Sequence, residues 1–263
     1  VLETMKHTWK ALEPRFGRIE ATEVSIDDCR AHTLERRAAK TTKNPDGIQD
    51  GTIHTELGHL RMVLKWAENN RIIARAPHIE RPAKPEPKDY HISRDEVKTL
   101  MACANVPHIR LLIRLLISTG ARVTAALQLT WDRVELDRGI INLRNPFDRS
   151  RRKGRATVPI NKQLLEDLLE AKKLAMSPFV IEWAGKNVVS VKKGMKAAAI
   201  AAGLPDVTPH VLRHSAGVWL AEDGHSMAEI AQFLGHGNTR TTEKVYARFS
   251  PEYLRGLASS LEL

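Results

Sequence analysis

Four prolines fall within eleven residues, at Pro77, Pro82, Pro85 and Pro87. Proline fixes φ and carries no amide hydrogen, so this stretch can sustain neither a helix nor a central strand. It predicts extended, semi-rigid chain. The remaining sequence must fold on either side of it, and 263 residues are enough for two domains. The expected division is a helical domain at 1–76, a linker at 77–91 and a larger domain at 92–263.

Ahead of the prolines the pattern is helical. Leu2, Met5, Trp9 and Leu12 recur at helical spacing. Ser25, followed by Asp27 and Asp28, reads as a capped, acid-rich helix start. Asn44-Pro45-Asp46-Gly47 is a turn. Ile53, Leu57, Leu60, Leu64 and Ala67 then line one face of a longer helix.

Behind the prolines, Ser93-Arg94-Asp95-Glu96 forms a capping box. A strongly apolar helix runs from His108 to about Ser118 and breaks at Thr119-Gly120-Ala121-Arg122. The period then changes. Val134–Leu136 and Ile140–Leu143 flank Asp137-Arg138-Gly139, a hairpin signal, and residues 156–160 read as a third strand. Helices are expected at 161–176, 190–202, 209–222, 226–234, 239–249 and 251–261, with a short strand at 179–183. The expected fold class is mainly α with a small antiparallel β-sheet.

Lys+Arg number 41 and Asp+Glu 31, a difference of +10 that favours an anionic partner, nucleic acid being the commonest. The densest cluster is Arg144, Arg149, Arg151, Arg152, Lys153 and Arg155 against Asp148, in the connection between two of the strands. The apolar run Leu111–Ile117 is interrupted by Arg114 and falls far short of the ~18 residues of a membrane span. Lys6, His7 and Lys10 interrupt the first apolar pattern, which argues against a secretory leader. Cys29 and Cys103 make neither a disulfide framework nor a metal knuckle. They read as buried fillers in a reducing, cytoplasmic compartment.

Four separated pieces could carry chemistry: Thr119-Gly120-Ala121-Arg122, His210-Val211-Leu212-Arg213-His214, Leu234-Gly235-His236 and Val245-Tyr246-Ala247-Arg248. Singly, each has an ordinary structural explanation: a helix-end arginine, a core histidine, a glycine C-cap, a core aromatic. Together, in this order and with the basic hairpin between the first and second, they resemble the tyrosine recombinase (phage integrase) family. The stretch Thr52–Ile72 resembles the last helices of that family's core-binding domain, so the likeness spans essentially the whole chain.

The resemblance implies a two-domain, C-shaped clamp on DNA, a helical core-binding domain joined to a catalytic domain. Arg122 and Arg213 would be rigid, permanently charged forks on the scissile phosphate. His210 and His236 would hydrogen-bond the same phosphate, with His210 the candidate proton acceptor. Tyr246 would be the nucleophile, giving a 3′-phosphotyrosyl enzyme and a free 5′ hydroxyl. Lys153 is the candidate donor to that leaving oxygen, because arginine rarely releases a proton. Sliding the strands by two residues would put Arg151 there instead. Arg149, Arg151, Arg152 and Arg155 are candidate contacts to the DNA backbone.

The covalent link conserves the phosphodiester energy. No Walker-type glycine loop and no carboxylate cluster suited to paired Mg²⁺ occurs, so neither cofactor nor metal is expected. The implied partners are double-stranded DNA, further copies of the chain in a tetramer, and a DNA-bending accessory protein. The tail at 250–263 is amphipathic through Tyr253, Leu254, Leu257 and Leu261 and could pack on its own domain or on a neighbour.

Two departures from the family pattern stand out: Ala125 where members carry an acid, and a gap from His236 to Tyr246 one residue longer than usual. His214, one residue past Arg213 on the same helix, is expected to point elsewhere as a structural histidine. Trp131 and Trp219 are expected in the core. The expected activity is integration or excision of a phage or mobile element. A topoisomerase-like nicking and closing enzyme and a non-catalytic DNA-binding remnant are the alternatives.

Overall fold

The computed structural model describes residues 2–42, 44–86, 89–144, 146, 156–250 and 259–261. The chain divides into two units, Val1–Lys88 and Asp89–Leu263.

The first unit holds three helices, α1 (Leu2–Phe16), α2 (Ile26–Ala38) and α3 (Asp50–Asn69). The Ser25 hydroxyl caps α2 by accepting from the Asp28 amide, and the Asp28 carboxylate accepts from the Ser25 amide, so two otherwise unpaired donors are satisfied. The buried stripe of α3 is Ile53, Leu57, Leu60 and Leu64, as the spacing requires. On α1 the inward face differs from the expected one. Thr8, Leu12 and Phe16 are buried, whereas Trp9 is exposed. The reason is polar: the Thr8 hydroxyl reaches Thr4 O at 3.0 Å and His59 Nδ1 at 2.9 Å, which fixes the face of α1 that meets α3.

Residues 76–86 form neither helix nor strand. They do not stand free of the first unit. Ile79 is buried in that unit's core, Pro82 O lies 2.9 Å from His54 Nδ1, and Arg30 pairs with Glu80 at 3.0 Å. The proline segment is thus held against α2 and α3.

The second unit is built on α4 (Arg94–Cys103), α5 (Pro107–Thr119) and the short α6 (Val123–Leu127). A small antiparallel sheet follows, in the order β1 (Val134–Glu135), β2 (Ile140–Asn142), β3 (Thr157–Pro159), with Val134 opposite Ile141 and Ile141 opposite Val158. Ile141 and Val158 present one buried face to the core. Then come α7 (Lys162–Lys173), a second hairpin of β4 (Glu182–Trp183) and β5 (Lys186–Asn187), α8 (Lys192–Ala201), α9 (Pro209–Glu222), α10 (Met227–Leu234) and α11 (Thr239–Tyr246). The β4–β5 hairpin falls where a single short strand was expected.

Helix α5 is the axis of this unit. Leu112, Ile113, Leu115 and Leu116 are fully buried. Arg114, which interrupts that apolar run, turns outward to Asp167 at 2.9 Å and Gln163 at 2.8 Å on α7. Trp131 is buried, while Trp219 is half-buried with its indole donating to Ile92 O at 3.1 Å. Cys29 is buried as expected, but Cys103 is only half-buried, its thiol facing Ala201 O at the end of α8. No helix among the described residues is long and apolar enough to cross a membrane.

Candidate active site

The first of the four pieces closes α5. Thr119 is fully buried; its hydroxyl donates to Leu115 O at 2.6 Å and accepts from the Ala121 amide at 3.2 Å. Gly120 then turns left-handed at φ 58°, and a Cβ there would stand 2.3 Å from Leu234 Cδ2. Only glycine meets both demands. The turn delivers Arg122 to the start of α6 as its N-cap residue.

The second piece opens α9. Thr208 caps the helix through the Val211 amide and Pro209 occupies its first turn, a position that needs no amide hydrogen. His210 and Arg213 are three residues apart and share a helix face. His210 is exposed, whereas Arg213 is 5% exposed. Its guanidinium donates to Gly120 O at 2.5 Å and to Leu234 O at 2.9 Å. One planar fork therefore ties the end of α5 to the end of α10.

The third piece explains itself through those contacts. Leu234 fills the space that Gly120 leaves open and turns its carbonyl to Arg213. Gly235 ends α10 at φ 63°, and the His236 amide returns to Ala231 O at 2.8 Å. The chain thereby brings His236 back, and its Nδ1 lies 2.7 Å from the Thr242 hydroxyl on α11. Thr242 is fully buried, a supporting residue that sequence reading missed.

Tyr246, the last residue of α11, is 5% exposed. Its ring lies on α9 over Gly217, where an added Cβ would meet Cζ at 2.4 Å. His214 does not point elsewhere, as its place in the sequence suggested. Its ring centroid is 5.4 Å from that of Tyr246. Residues 213 and 217 are one turn apart, so a helix face that carries Arg213 also passes beneath the Tyr246 ring.

The electrostatics follow from this crowding of cations. Burial, reinforced by Arg122, pushes the Arg213 guanidinium down to about 10, so it stays charged at neutral pH. Burial and the positive charges of Arg213 and Arg122 push His236 down to about 4, so its imidazole is neutral. Burial raises the Tyr246 phenol, and Arg213 opposes that shift without cancelling it. Ala125, at the position where members of the family carry an acid, is buried on α6.

Arg122, His210, Arg213, His236 and Tyr246 thus fall on the adjoining ends and faces of α5, α6, α9, α10 and α11. Lys153, Arg149, Arg151, Arg152 and Arg155 lie outside the described residues, as does most of the tail with Tyr253.

Residues 91–252 match the phage integrase family. Tyrosine recombinase XerA of Thermococcus kodakarensis is 30% identical over 245 residues, covering 87% of this chain and 80% of that protein. The integrase of Haemophilus phage HP1 is 26% identical over 236 residues, covering 86% of this chain and 64% of its own. Among solved structures, the Tn1549 transposon integrase in complex with transposon right end DNA superimposes with a TM-score of 0.79 at 16% identity, covering 99% of this chain and 93% of its own. A λ integrase tetramer bound to a Holliday junction gives 0.72 at 16% identity, covering 94% of this chain and 72% of its own. At such identities these structural likenesses speak for the fold, while the family match and the XerA relative speak for descent. The chain belongs to the phage integrase family.

Proposed function

We propose that the chain is a site-specific DNA recombinase in which Tyr246 attacks a phosphodiester held by Arg122, Arg213, His210 and His236. The observation that carries this reading is the seat of the Tyr246 ring on α9, one helical turn from the buried Arg213 fork. In this state the phenol is shielded and protonated, so catalysis needs the DNA phosphate to enter beside it.

The chemistry follows from the charges. The non-bridging oxygens gain negative charge as the pentacoordinate transition state forms, and the Arg213 guanidinium, fixed in advance by Gly120 O and Leu234 O, stabilises it together with Arg122. Neutral His236 serves as a hydrogen-bond donor through the nitrogen that Thr242 leaves free. His210, exposed at the head of α9, is the candidate to take the proton of the phenol. Tyr246 Oη bonds to phosphorus as the 5′ oxygen leaves and takes a proton, for which Lys153 is the candidate donor. Reversal with a different 5′ hydroxyl exchanges the strands.

The substrate is double-stranded DNA, and the λ relative, a tetramer on a Holliday junction, supports assembly of four copies on DNA. The residues at 149, 151, 152 and 155 track the DNA backbone, giving steep salt dependence. A DNA-bending protein assists the assembly, which acts on chromosomal or phage DNA in the cytoplasm.

Covalent trapping tests the reading. Nicked duplexes cut from the DNA flanking the gene should give an SDS-resistant protein–DNA band with the wild type and none with Tyr246→Phe. A band that survives the substitution identifies another nucleophile. Tight binding with no band from either protein favours the non-catalytic reading.

A further inference from the structure

Asp89 and His91 open the second unit, and His214 lies on α9. One donor atom from each comes within 4.8 Å of the others. Two nitrogens of this trio, His91 Nδ1 and His214 Nε2, are closed off from solvent and have no hydrogen-bond partner among the described residues. Buried polar atoms are almost always paired, so two unpartnered imidazole nitrogens in one cluster need a cause. His214 Nε2 stands 3.6 Å from Asp89 Oδ1, too far for a hydrogen bond. With bonds near 2.1 Å in tetrahedral array, two ligands of one Zn²⁺ stand about 3.4 Å apart. The 3.6 Å gap fits two ligands on a shared ion.

We propose that Asp89, His91 and His214 form a binding site for a divalent transition-metal cation of the zinc class, beside Tyr246. Two imidazoles and a carboxylate are a familiar three-ligand set for such an ion, with a fourth position left to water. The Asp89 side chain is 43% exposed, which gives the ion a way in and the water a place. The Arg248 guanidinium, 2.7 Å from Asp89 Oδ1, balances the carboxylate when no ion is bound, and an incoming cation competes with it.

The site touches the tyrosine segment twice. The His214 ring packs against that of Tyr246, and Arg248 follows Tyr246 by two residues. An ion on His214 fixes that ring and so holds Tyr246 in its seat. Occupancy therefore slows attack on DNA. This consequence rests on Tyr246 being the nucleophile, whereas the binding step does not.

The test is a titration of the metal-stripped full chain with Co²⁺, followed by visible ligand-field absorption. One equivalent should bind with the strong absorption of a four-coordinate nitrogen–oxygen site, and Zn²⁺ should displace it. His91→Gln and Asp89→Asn should each weaken binding by about tenfold or more, since each removes one of three ligands. His225→Gln, at an exposed histidine elsewhere, should leave it unchanged. His91 and Asp89 lie outside the helices, so these variants spare α9, and circular dichroism checks their fold. Absence of the band, or a band of equal strength in folded His91→Gln, overturns the site. If Zn²⁺ binds but slows adduct formation equally in wild type and His91→Gln, the control of Tyr246 is overturned and the site stands.

Discussion

The Tyr246 ring fills the volume that any side chain at Gly217 would occupy: a Cβ there would lie 2.4 Å from Cζ and 2.8 Å from Oη. Glycine in mid-helix costs α9 about 1 kcal/mol relative to alanine, so the residue is explained by the contact rather than by the helix. Gly217→Ala is expected to gain that propensity and lose more through overpacking, about 1–3 kcal/mol, unless Tyr246 leaves its seat. Leaving the seat exposes the phenol. Tyrosine nitration at position 246 should therefore speed up in the variant. Unchanged nitration together with an unchanged melting temperature would refute the seat.

Arg213 should matter before any DNA arrives. Its fork bridges Gly120 O and Leu234 O, joining the ends of two helices. A lysine ammonium is a single point and cannot reproduce that planar, two-armed geometry. Arg213→Lys is thus expected to leave a buried carbonyl short of its donor and to destabilise the free protein by about 1–3 kcal/mol. Thermal denaturation without DNA measures this. A variant as stable as wild type but inactive on DNA would assign Arg213 to catalysis alone.

Most helices of the second unit were legible because their punctuation is chemical. Thr208-Pro209 starts α9, Ser226 caps α10, and Gly235 ends it, all by local hydrogen bonds or φ. The partners of the site residues were less legible. That Thr242 holds His236, that Gly217 seats Tyr246 and that His214 touches the same ring depend on how α9 and α11 meet, and helical spacing within either one does not encode it. The inward face of α1 was misjudged for a related reason. Trp9 is the more apolar side chain, but Thr8 has a hydrogen-bond partner across the interface in His59.

The site should bind simple dianions. Burial lowers the protonation of both Arg213 and His236, and the charge of Arg122 lowers both further, which marks a concentration of positive charge around one point. Sulfate placed there relieves it. At ten times its dissociation constant, sulfate should stabilise the fold by about 1.4 kcal/mol through linkage. Sulfate also stabilises proteins generally by exclusion from their surfaces. The diagnostic quantity is therefore the difference between wild type and Arg122→Gln in matched sulfate and chloride. Equal melting shifts in the two proteins would remove the anion site.

His236 should titrate far below an ordinary histidine in the free protein and rise when phosphate arrives. Its folded value of about 4 lies under the ordinary 6.5, owing to burial and to the charges of Arg213 and Arg122. Between those two values the unfolded chain binds more protons than the folded one, so stability rises with pH across this window. Read the other way, this contribution is complete above 6.5 and is lost as pH falls toward 4. His236→Gln should flatten that part of the pH–stability curve. Imidazole NMR of the free protein should show His236 neutral at pH 6, and Arg122→Gln should move its midpoint upward. Bound DNA should raise it further, because a phosphate anion offsets the two guanidiniums. A free-protein midpoint near 6.5 would mean that the two arginines do not act on this ring, and the clamp as described would not be assembled before DNA binds.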